Sequence, residues 1–463
     1  MADPIFLYLA LVPVLGIAAQ VIAWWIRVPS ILLLLTFGVI LGLWLNPDTI
    51  LAEASSSDGL GAQIIFPLVS LAVGVILFEG GLTLRLHELK EAVGPAIIRL
   101  CSIGVLISWV LTTVFAWLVL GIHIKLAILL GAVLVVTGPP VVAPLLRHIR
   151  PNRKIGSVVK WEGIVIDPVG AILAVLVYDS LFHGSYAGED LHWYSPLVGL
   201  LTTWGIGIIV AGITGIVLVQ LVKRYWLPDY LHGVGFLAAA IGSFAVSNIM
   251  MHESGLVTVT ILGIYLANQK QVSLEHVIEF KEHLGVFLIS CLFIILGSRL
   301  DLSIMGEVGW RGAVFVALMI LIVRPLSVFG AMIGSKLTRN ETIFLSFLAP
   351  RGIVAAAVVS VFSLRILATS HDPAILKGAE LLVPATFMLI VGTVAVYGLG
   401  AAHLARRLGL ANANPQGILF AGADPWIRDV AKTIIDAGFA VAVVDTNYRN
   451  ISAARMEGLP AHC

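Results

Sequence analysis

The amino-acid sequence predicts an all-α polytopic membrane protein with about 13 transmembrane helices, followed by a partial α/β Rossmann-like segment. The first observation is composition. The 463 residues have a mean hydropathy of +1.01, and 12% of them are Asp, Glu, Lys or Arg. Soluble proteins carry about 25% of these residues, so the chain lacks the polar surface that water would require. The second observation is a series of long apolar runs, and the third is a change in composition near residue 407.

The apolar runs define a transmembrane domain over residues 1–407, and residues 408–463 are expected to form a partial cytoplasmic regulatory domain. A helix needs about 20 mostly apolar residues to cross a bilayer. Because the start of the chain lacks a basic stretch, the first run is interpreted as a span and not as a cleaved signal peptide. The runs lie near residues 5–25, 28–45, 62–79, 93–120, 125–146, 156–179, 196–222, 229–250, 255–268, 284–298, 310–334, 341–363 and 380–403.

The positions of the basic residues predict the orientation of the spans. Fifteen Lys and Arg residues fall in one alternate set of connections and five in the other, which also contains the acidic stretches 48–58 and 187–190. Because basic residues are enriched in cytoplasmic connections, the first set is assigned to the cytoplasm. The N-terminus is therefore expected outside and the C-terminus inside, in a plasma membrane of the bacterial type.

Several functional classes find no support in the sequence. The net charge of +1 gives no indication of nucleic-acid binding. Cys101, Cys291 and Cys463 lie far apart and lack the spacing of a disulfide framework or a resident metal site. A channel selectivity filter would need a segment such as TVGYG, which the sequence does not contain. No His, Cys and Glu residues cluster with catalytic spacing, so the protein is not expected to be an enzyme.

Two of the apolar runs contain helix-breaking residues near their middles, at residues 136–140 (VTGPP) and 349–352 (APRG). Proline removes a backbone donor and clashes with the preceding turn, which produces either a kink or an unwound segment. The two interruptions lie seven runs apart, and this odd offset predicts two repeats of opposite orientation. Matched breaks in inverted repeats indicate a binding site near the midplane of a secondary transporter.

Two carboxylates, Glu162 and Asp167, lie within the run 156–179. Ionisable groups at membrane depth are costly and are by default candidates for a functional site. Five residues along a helix correspond to about 140°, so the two side chains face different directions and are expected to have different functions. Arg351 is the expected partner of Glu162 in a buried ion pair, and Arg324 is a second cation within a span. The alternative is a structural network formed by both arginines and Glu162.

Asp167 is the expected site of proton and cation binding. The one cation near it in the sequence is Lys160, seven residues earlier on nearly the same helix face, so a structural pair between them is the alternative. If Asp167 faces a water-filled cavity, a proton and a cation can compete for it. Thr137 lies in the first break, where its hydroxyl and free carbonyls could coordinate a hard cation. His252 and Glu253 are interpreted as interfacial residues.

These motifs resemble those of the monovalent cation:proton antiporter family, in particular the NhaP-like sodium (potassium)/proton exchangers. Residues 78–81 (FEGG) are similar to the family's Phe-Glu-Gly-Gly element. Residues 136–139 (VTGP) stand where the family has Thr-Asp-Pro, and residues 162–167 (EGIVID) where it has Glu-Ser-x-x-Asn-Asp. Residues 324–327 (RPLS) and 350–354 (PRGIV) are similar to its late arginine motifs. The resemblance covers nearly the whole predicted transmembrane domain.

The resemblance implies a homodimer of protomers with about 13 spans, in which a core domain moves against a dimerisation domain in an elevator mechanism. It assigns proton and cation binding to Asp167 and an ion-pair role to Glu162 and Arg351. Ile166 replaces the family's asparagine and Gly138 its aspartate, so the site offers fewer oxygen ligands. The implied function is the exchange of a monovalent cation, Na⁺ first and K⁺ as the alternative, for protons. This exchange is expected to be one-for-one and electroneutral, without a cofactor.

The tail of the chain predicts the start of a dinucleotide-binding fold. Residues 417–422 predict a strand and a tight turn, residues 426–437 a helix, and residues 440–445 a second strand that ends in an acid. Gly422 and Asp445 occupy the positions that would contact a nucleotide, although the later glycines of the fingerprint are missing. The tail is similar to the start of the nucleotide-sensing (RCK-like) domains of potassium channels and some antiporters. It is expected to bind an adenine nucleotide or dinucleotide only when complete, with a structural remnant as the alternative.

Overall fold

The computed structural model describes residues 4–26, 28–47, 60–89, 93–183, 195–272, 275–299, 302–411 and 417–463. The chain forms two compact units that divide between Ala411 and Asn412. The first unit is helical, and the second contains a small sheet. The predicted boundary lies slightly earlier, at the end of the last long helix at Arg407. The acidic stretches 48–58 and 187–190 used to predict the orientation lie outside the described residues.

Apolar helices make up the first unit. A helical segment from Leu302 leads into the helix α12 (Val308–Met332), and the chain kinks near the start of this helix, at Gly309, where φ is 53°. The helices are α1 (Pro4–Ile26), α2 (Ser30–Trp44), α3 (Leu60–Leu82), α4 (Val93–Leu120), α5 (Ile124–Val133), α6 (Pro139–Ile149), α7 (Arg153–Tyr178), α8 (Ser195–Lys223), α9 (His232–Met250), α10 (Ser254–Asn268), α11 (Glu275–Ser298), α12 (Val308–Met332), α13 (Arg339–Ser346), α14 (Ile353–Thr369) and α15 (Pro373–Arg407).

The lengths of these helices test the predicted number of spans. Within the described residues, seven helices are long and apolar enough to cross a membrane: α1, α4, α7, α8, α9, α12 and α15. Six further apolar helices or helical segments have 10–17 residues, which is short of the usual length of a span. The class of a helical, multi-pass membrane protein is therefore confirmed, whereas the count of about 13 spans stays a prediction.

Both predicted interruptions are extended segments that divide a run into two helices. Residues 134–138 separate α5 from α6, and residues 347–352 separate α13 from α14. Gly138 and Gly352, which directly precede the second helix of each pair, have extended conformations with φ/ψ of −71°/125° and −102°/172°. Pro139 suits the first turn of α6, where no intrahelical partner exists for a backbone N–H. The alternative of a simple kink is wrong for both sites.

A single helix, α7, lies at the centre of the elements that form the site. It contacts α5, α6, α8, α10 and α14. Buried residues occupy every face of α7, which is typical of a helix surrounded by protein. Asn152 caps its first turn by accepting a hydrogen bond from the N–H of Ile155 at 2.9 Å. The two carboxylates of α7 are therefore held within the bundle and not at its lipid-facing surface.

The second unit is a parallel sheet of three strands in the order β1-β2-β3. Its elements are β1 (Gly417–Ala421), α16 (Pro425–Asp436), β2 (Ala440–Val444), α17 (Tyr448–Met456) and β3 (Ala461–His462). Val441, Val443 and Ile451 form part of its small core. The predicted strand, helix and second strand are present. A sheet of this size does not by itself establish a Rossmann-like fold.

Candidate ion-binding site

The two interrupted helices meet where their extended segments cross. A Cβ atom added to Gly138 would lie 2.5 Å from the Cα atom of Gly352, and a Cβ atom added to Gly352 would lie equally close to the Cα atom of Gly138. Neither position can therefore hold a larger side chain unless one of the backbones shifts. The close approach of the two chains requires glycine at both positions.

Helix α7 brings Asp167 against the first of these segments. Gly163, Asp167 and Gly170 share one face of the helix, because residues three and four positions apart are neighbours on a helix surface. Gly163 packs against Val142, and Gly170 packs against Val136 so closely that no Cβ atom could be added. Because Val136 lies within the break and Val142 lies at the start of α6, Asp167 faces the segment that joins them.

The carboxylate of Asp167 has no partner in the part of the chain that the structure describes. Its side chain is fully buried, and neither oxygen accepts a hydrogen bond. The hydroxyl of Thr137, in the break, is also buried without a hydrogen-bond partner among these residues. The alternative pair of Asp167 and Lys160 is wrong. Lys160 Nζ donates to the carbonyl of Thr83 at 2.9 Å and lies 3.6 Å from a carboxylate oxygen of Glu88.

A buried carboxylate without a partner is unfavourable as a bare anion, because an uncompensated charge is far more costly to bury than a hydrogen-bonded polar group. A bound proton or a bound cation removes this cost. Pro168 has no N–H to donate to the carbonyl of Ile164 one turn earlier, so this carbonyl lacks its usual helical donor. Among the described residues, no group of three or more His, Cys, Asp or Glu residues is arranged for a resident metal ion.

Glu162, the second carboxylate of α7, forms an ion pair with Arg324. Arg324 Nη1 donates to Oε1 at 2.6 Å and Nη2 donates to Oε2 at 3.0 Å, and both side chains are buried. Arg324 also donates through Nε to the carbonyl of Leu345 at 3.1 Å and through Nη2 to that of Leu348 at 3.2 Å. These carbonyls lie at and just beyond the C-terminal end of α13, where the helix dipole favours a cation. Arg324 therefore joins α7, α12 and the end of α13.

Arg351 caps the other interrupted helix in the same way. Its Nη1 donates to the carbonyls of Val135 at 2.8 Å and Val136 at 3.2 Å, just beyond the end of α5. The expected ion pair between Glu162 and Arg351 is therefore wrong, since Glu162 binds Arg324. The physical reason is that the break leaves carbonyls without helical donors, and these carbonyls accept hydrogen bonds from Arg351 across the crossing.

Glu253 has a left-handed backbone conformation that the hydropathy of the sequence does not indicate. It lies between α9 and α10 with φ 63° and ψ 0°, in the left-handed region that residues other than glycine rarely adopt. Its side chain is half-buried and lines a cavity together with His252 and Arg365. The one signal in the sequence was a carboxylate directly before the small residues Ser254 and Gly255. This signal was too weak to distinguish Glu253 from an ordinary interfacial residue.

The residues assigned to nucleotide binding have structural roles in the second unit. Gly422 has φ 124° and forms the turn after β1. The carboxylate of Asp445 accepts hydrogen bonds from the N–H groups of Asn447 at 2.8 Å and Ala423 at 2.9 Å, and from the side-chain amide of Asn450 at 2.9 Å. The bonds from Asn447, Asn450 and Ala423, in that order, lower the pKa of Asp445. Both carboxylate oxygens are engaged within the fold, so the expected contact with a ribose finds no support.

Two interrupted helices that cross beside a buried carboxylate, in a bundle of apolar helices, are the features of a secondary transporter. The family model described as "Sodium/hydrogen exchanger, transmembrane" matches residues 10–407. The chain belongs to this family. The match ends where α15 ends, so it covers the helical unit and not the sheet.

Individual relatives extend this result. The chain is similar to Na(+)/H(+) antiporter 1 of Methanocaldococcus jannaschii, with 27% identity over 421 residues, which cover 87% of this chain and 95% of that protein. It is also similar to the K(+)/H(+) antiporter NhaP2 of a Shewanella species, with 24% identity over 402 residues, which cover 87% of this chain and 66% of that protein. These names are names of transporters, in agreement with the expectation that the chain is not an enzyme.

A solved structure shows the same architecture. The structure of the sodium proton antiporter MjNhaP1 from Methanocaldococcus jannaschii at pH 8 matches with a TM-score of 0.73 and 25% sequence identity. The match covers 87% of this chain and 97% of that chain. The fold of the helical unit is thus shared with a known antiporter.

Proposed function

We propose that this protein is a secondary active antiporter that exchanges a monovalent cation, with Na⁺ as the first candidate, for protons across a bacterial-type plasma membrane. The observation that carries the proposal is the buried carboxylate of Asp167, which has no partner among the described residues and faces the break between α5 and α6. A carboxylate in this position is favourable with a proton or a cation bound and unfavourable when empty. Alternate loading with the two ions, from opposite sides of the membrane, constitutes antiport.

Each residue of the site has a proposed role in this cycle. Asp167 binds the proton and the cation in turn, and Thr137 supplies a hydroxyl oxygen to the cation. The helices α6 and α14 both begin at the crossing, and the positive ends of their dipoles, about half a charge each, favour the negative carboxylate while it changes its ion. Arg324 and Arg351 hold the ends of α13 and α5 in place. Glu162 compensates the charge of Arg324.

The movement that exposes Asp167 to each side is proposed to be an elevator movement within a homodimer. In this proposal the six shorter apolar helices also cross the bilayer, the N-terminus is outside, and the second unit is a cytoplasmic regulatory domain. Because one carboxylate carries either one cation or one proton, the exchange is one-for-one and electroneutral. The pH gradient, and not the membrane potential, would then drive transport.

A K⁺/H⁺ antiporter regulated by the second unit is the second candidate. The relatives include proteins named for Na⁺ and proteins named for K⁺. Gly138 and Ile166 provide no side-chain oxygen to the site, so few oxygen ligands surround the transported cation. A small ion such as Na⁺ gains most from close coordination by several oxygens, and a site with fewer of them discriminates less by size.

The test is exchange by the purified protein in proteoliposomes that contain a pH-sensitive dye. We expect dissipation of an imposed pH gradient when Na⁺ is added, and Li⁺ and K⁺ are added in parallel to rank the cations. Asp167→Asn is the inactive control, because its amide cannot exchange a proton for a cation. If none of these cations dissipates the gradient through the wild-type protein, the proposed function is wrong.

The electroneutral cycle is tested in the same vesicles. A membrane potential imposed with valinomycin and K⁺, with Na⁺ as the transported cation, should leave the rate unchanged. A step that moves net charge would be altered by about 2.3 kcal/mol per 100 mV. A current on a solid-supported membrane that scales with transport and disappears in Asp167→Asn would show that a second titrating group moves with the cargo.

A further inference from the structure

A cavity of about 280 Å³ lies between α3, α7, α14 and the connection from α9 to α10. The membrane orientation predicted from the basic residues places this end of the bundle on the outside. Its walls are mainly apolar, and its charged lining residues are Asp179, His252, Glu253 and Arg365. Val354, in the first turn of α14, also lines the cavity. Because α14 begins at the crossing, the cavity extends from the end of the bundle to the neighbourhood of the ion-binding site.

The connection that carries Glu253 into this cavity is closely fixed by hydrogen bonds. Ser254 Oγ donates to the carbonyls of Ser247 at 2.7 Å and Met251 at 2.8 Å. The N–H of Gly255 donates to the side chain of Asn248 at 2.8 Å. These bonds hold Glu253 in its left-handed conformation, which a glutamate would not adopt on its own. A strained residue held by its surroundings is frequently found at a functional site, and here the strain directs a carboxylate into a cavity.

The carboxylate of Glu253 has no partner among the residues that the structure describes. Among the described residues it accepts no hydrogen bond and forms no ion pair, although its side chain is half-buried. The charges that act on it come from His252, the preceding residue, and from Arg365 of α14, and both of these side chains are exposed.

We propose that Glu253 is a second ion-binding carboxylate, which takes a monovalent cation or a proton from the cavity before that ion reaches Asp167. The delivery of the ion to Asp167 rests on the proposed function, whereas the binding site at Glu253 does not. Glu253 lies on the connection between α9 and α10, and Asp167 lies on α7, so the two carboxylates form separate sites at different depths. Glu253 is therefore a site of entry and not a second carrier of the transported ion.

The binding site is tested by carbodiimide labelling of the full chain in detergent. Dicyclohexylcarbodiimide reacts with protonated carboxyl groups in apolar surroundings, and a bound cation protects them. We expect an adduct on the peptide that contains Glu253, both in the wild type and in Asp167→Asn, the variant that we expect to be inactive in transport. Saturating Na⁺ or K⁺ should slow the labelling about tenfold relative to the same concentration of N-methylglucamine, equivalent to ~1.4 kcal/mol. No adduct at Glu253, or equal rates in all three salts, overturns the proposal.

The role of Glu253 in transport is tested by a substitution that removes its charge. Glu253→Gln should raise the KM for the cation about tenfold, equivalent to ~1.4 kcal/mol, and lower the maximal rate far less. Asp179→Asn is the matched control, because it removes a carboxylate from the same cavity at an exposed position. Its KM should change less than twofold. Equal changes in the two variants overturn the role in ion entry, and unchanged melting temperatures show that neither effect comes from unfolding.

If the wild type exchanges no cation, the proposed function fails. The labelling experiment still decides whether Glu253 binds an ion.

Discussion

The pairing of Glu162 with Arg324 can be measured directly, because it makes a different prediction from the pairing of Glu162 with Arg351. Glu162→Gln and Arg324→Met remove the two charges while keeping most of the side-chain volume. In the wild type, two hydrogen bonds of 2.6 Å and 3.0 Å join the two side chains. Either change alone removes both bonds and leaves one buried charge without its partner. Both changes together leave no unpaired charge at this position. The comparison of the single and double variants, a double-mutant cycle, therefore isolates the interaction energy between the two side chains.

The geometry sets the expected size of each effect. Removal of one partner from a buried ion pair costs about 3–5 kcal/mol of the free energy of unfolding. Arg324→Met should lie at the upper end of this range or above it. The carbonyls of Leu345 and Leu348 lose their donors as well, at about 1–3 kcal/mol each. We expect the double variant to be less destabilised than the sum of the single variants by about 2–3 kcal/mol.

The assay is reversible unfolding in mixed micelles of dodecyl maltoside and sodium dodecyl sulfate, followed by the fluorescence of the 11 tryptophans. A second cycle, with Arg351→Met in place of Arg324→Met, is the matched control. Arg351 also donates to two carbonyls, those of Val135 and Val136, but it forms no hydrogen bond with Glu162. Both double-mutant cycles thus remove a guanidinium from the end of a broken helix. Only the cycle with Arg324 also removes an ion pair with Glu162.

The outcome that refutes the pairing is specific. Additive losses for Glu162→Gln and Arg324→Met would show that the two charges do not stabilise each other. A coupling between Glu162 and Arg351 as large as that between Glu162 and Arg324 would show that the electrostatic interaction is shared among three residues and not confined to the pair. We expect the control coupling to be less than half of the coupling between Glu162 and Arg324.

Three further perturbations test other parts of the structure. Asp167→Asn should abolish exchange in proteoliposomes without lowering the melting temperature in detergent, because it removes a buried charge that has no partner among the described residues. Exchange by the variant at the wild-type rate would exclude Asp167 as the carrier. Gly138→Ala should reduce the free energy of unfolding by about 1–3 kcal/mol, because its methyl group would overlap the crossing backbone. Gly212→Ala, which has open space around it on α8, should be neutral or stabilising, and equal effects would mean that the crossing relaxes freely. Asp445→Ala should accelerate hydrogen exchange of the two amides that donate to this carboxylate, whereas Asp429→Ala, at an exposed position, should not. Because hydrogen bonds lower the pKa of Asp445, the wild-type protection should persist at and above the usual value of about 3.9 and be lost only as the pH falls through the lowered pKa. A loss already at pH 5 would contradict the assignment of these bonds.

Local chemistry made the breaks and the principal carboxylate predictable. Proline and glycine act on the backbone at their own positions, so the interruptions at residues 136–140 and 349–352 could be located without knowledge of the fold. Asp167 could be singled out because a carboxylate in an apolar run has few partners of any kind. The transport role of Asp167 stays a prediction, but its burial, without a partner in the described part of the chain, is what that role requires.

The direction of the long cationic side chains could not be predicted, because it depends on the crossing of elements far apart in the sequence. Arg324 is 162 positions from Glu162, and Arg351 is 215 positions from Val136. A simple pairing of opposite charges overlooked the carbonyls that a broken helix leaves free, and these carbonyls bind Arg351. The left-handed backbone of Glu253 was equally hidden, because hydrogen bonds of neighbouring residues impose it.

The charge balance at the crossing supports the proposed one-for-one exchange. The charge of Arg324 is compensated by Glu162, whereas Arg351 is held by carbonyls that carry no formal charge. Because Glu162 and Arg324 compensate each other, they leave the negative charge of Asp167 without a partner among the described residues when the site is empty. A proton and a monovalent cation each add one positive charge, so the two loaded states have the same net charge. A divalent cation would add a second positive charge in a buried environment, where charges interact far more strongly than in water. A single buried carboxylate thus suits an exchange of monovalent ions.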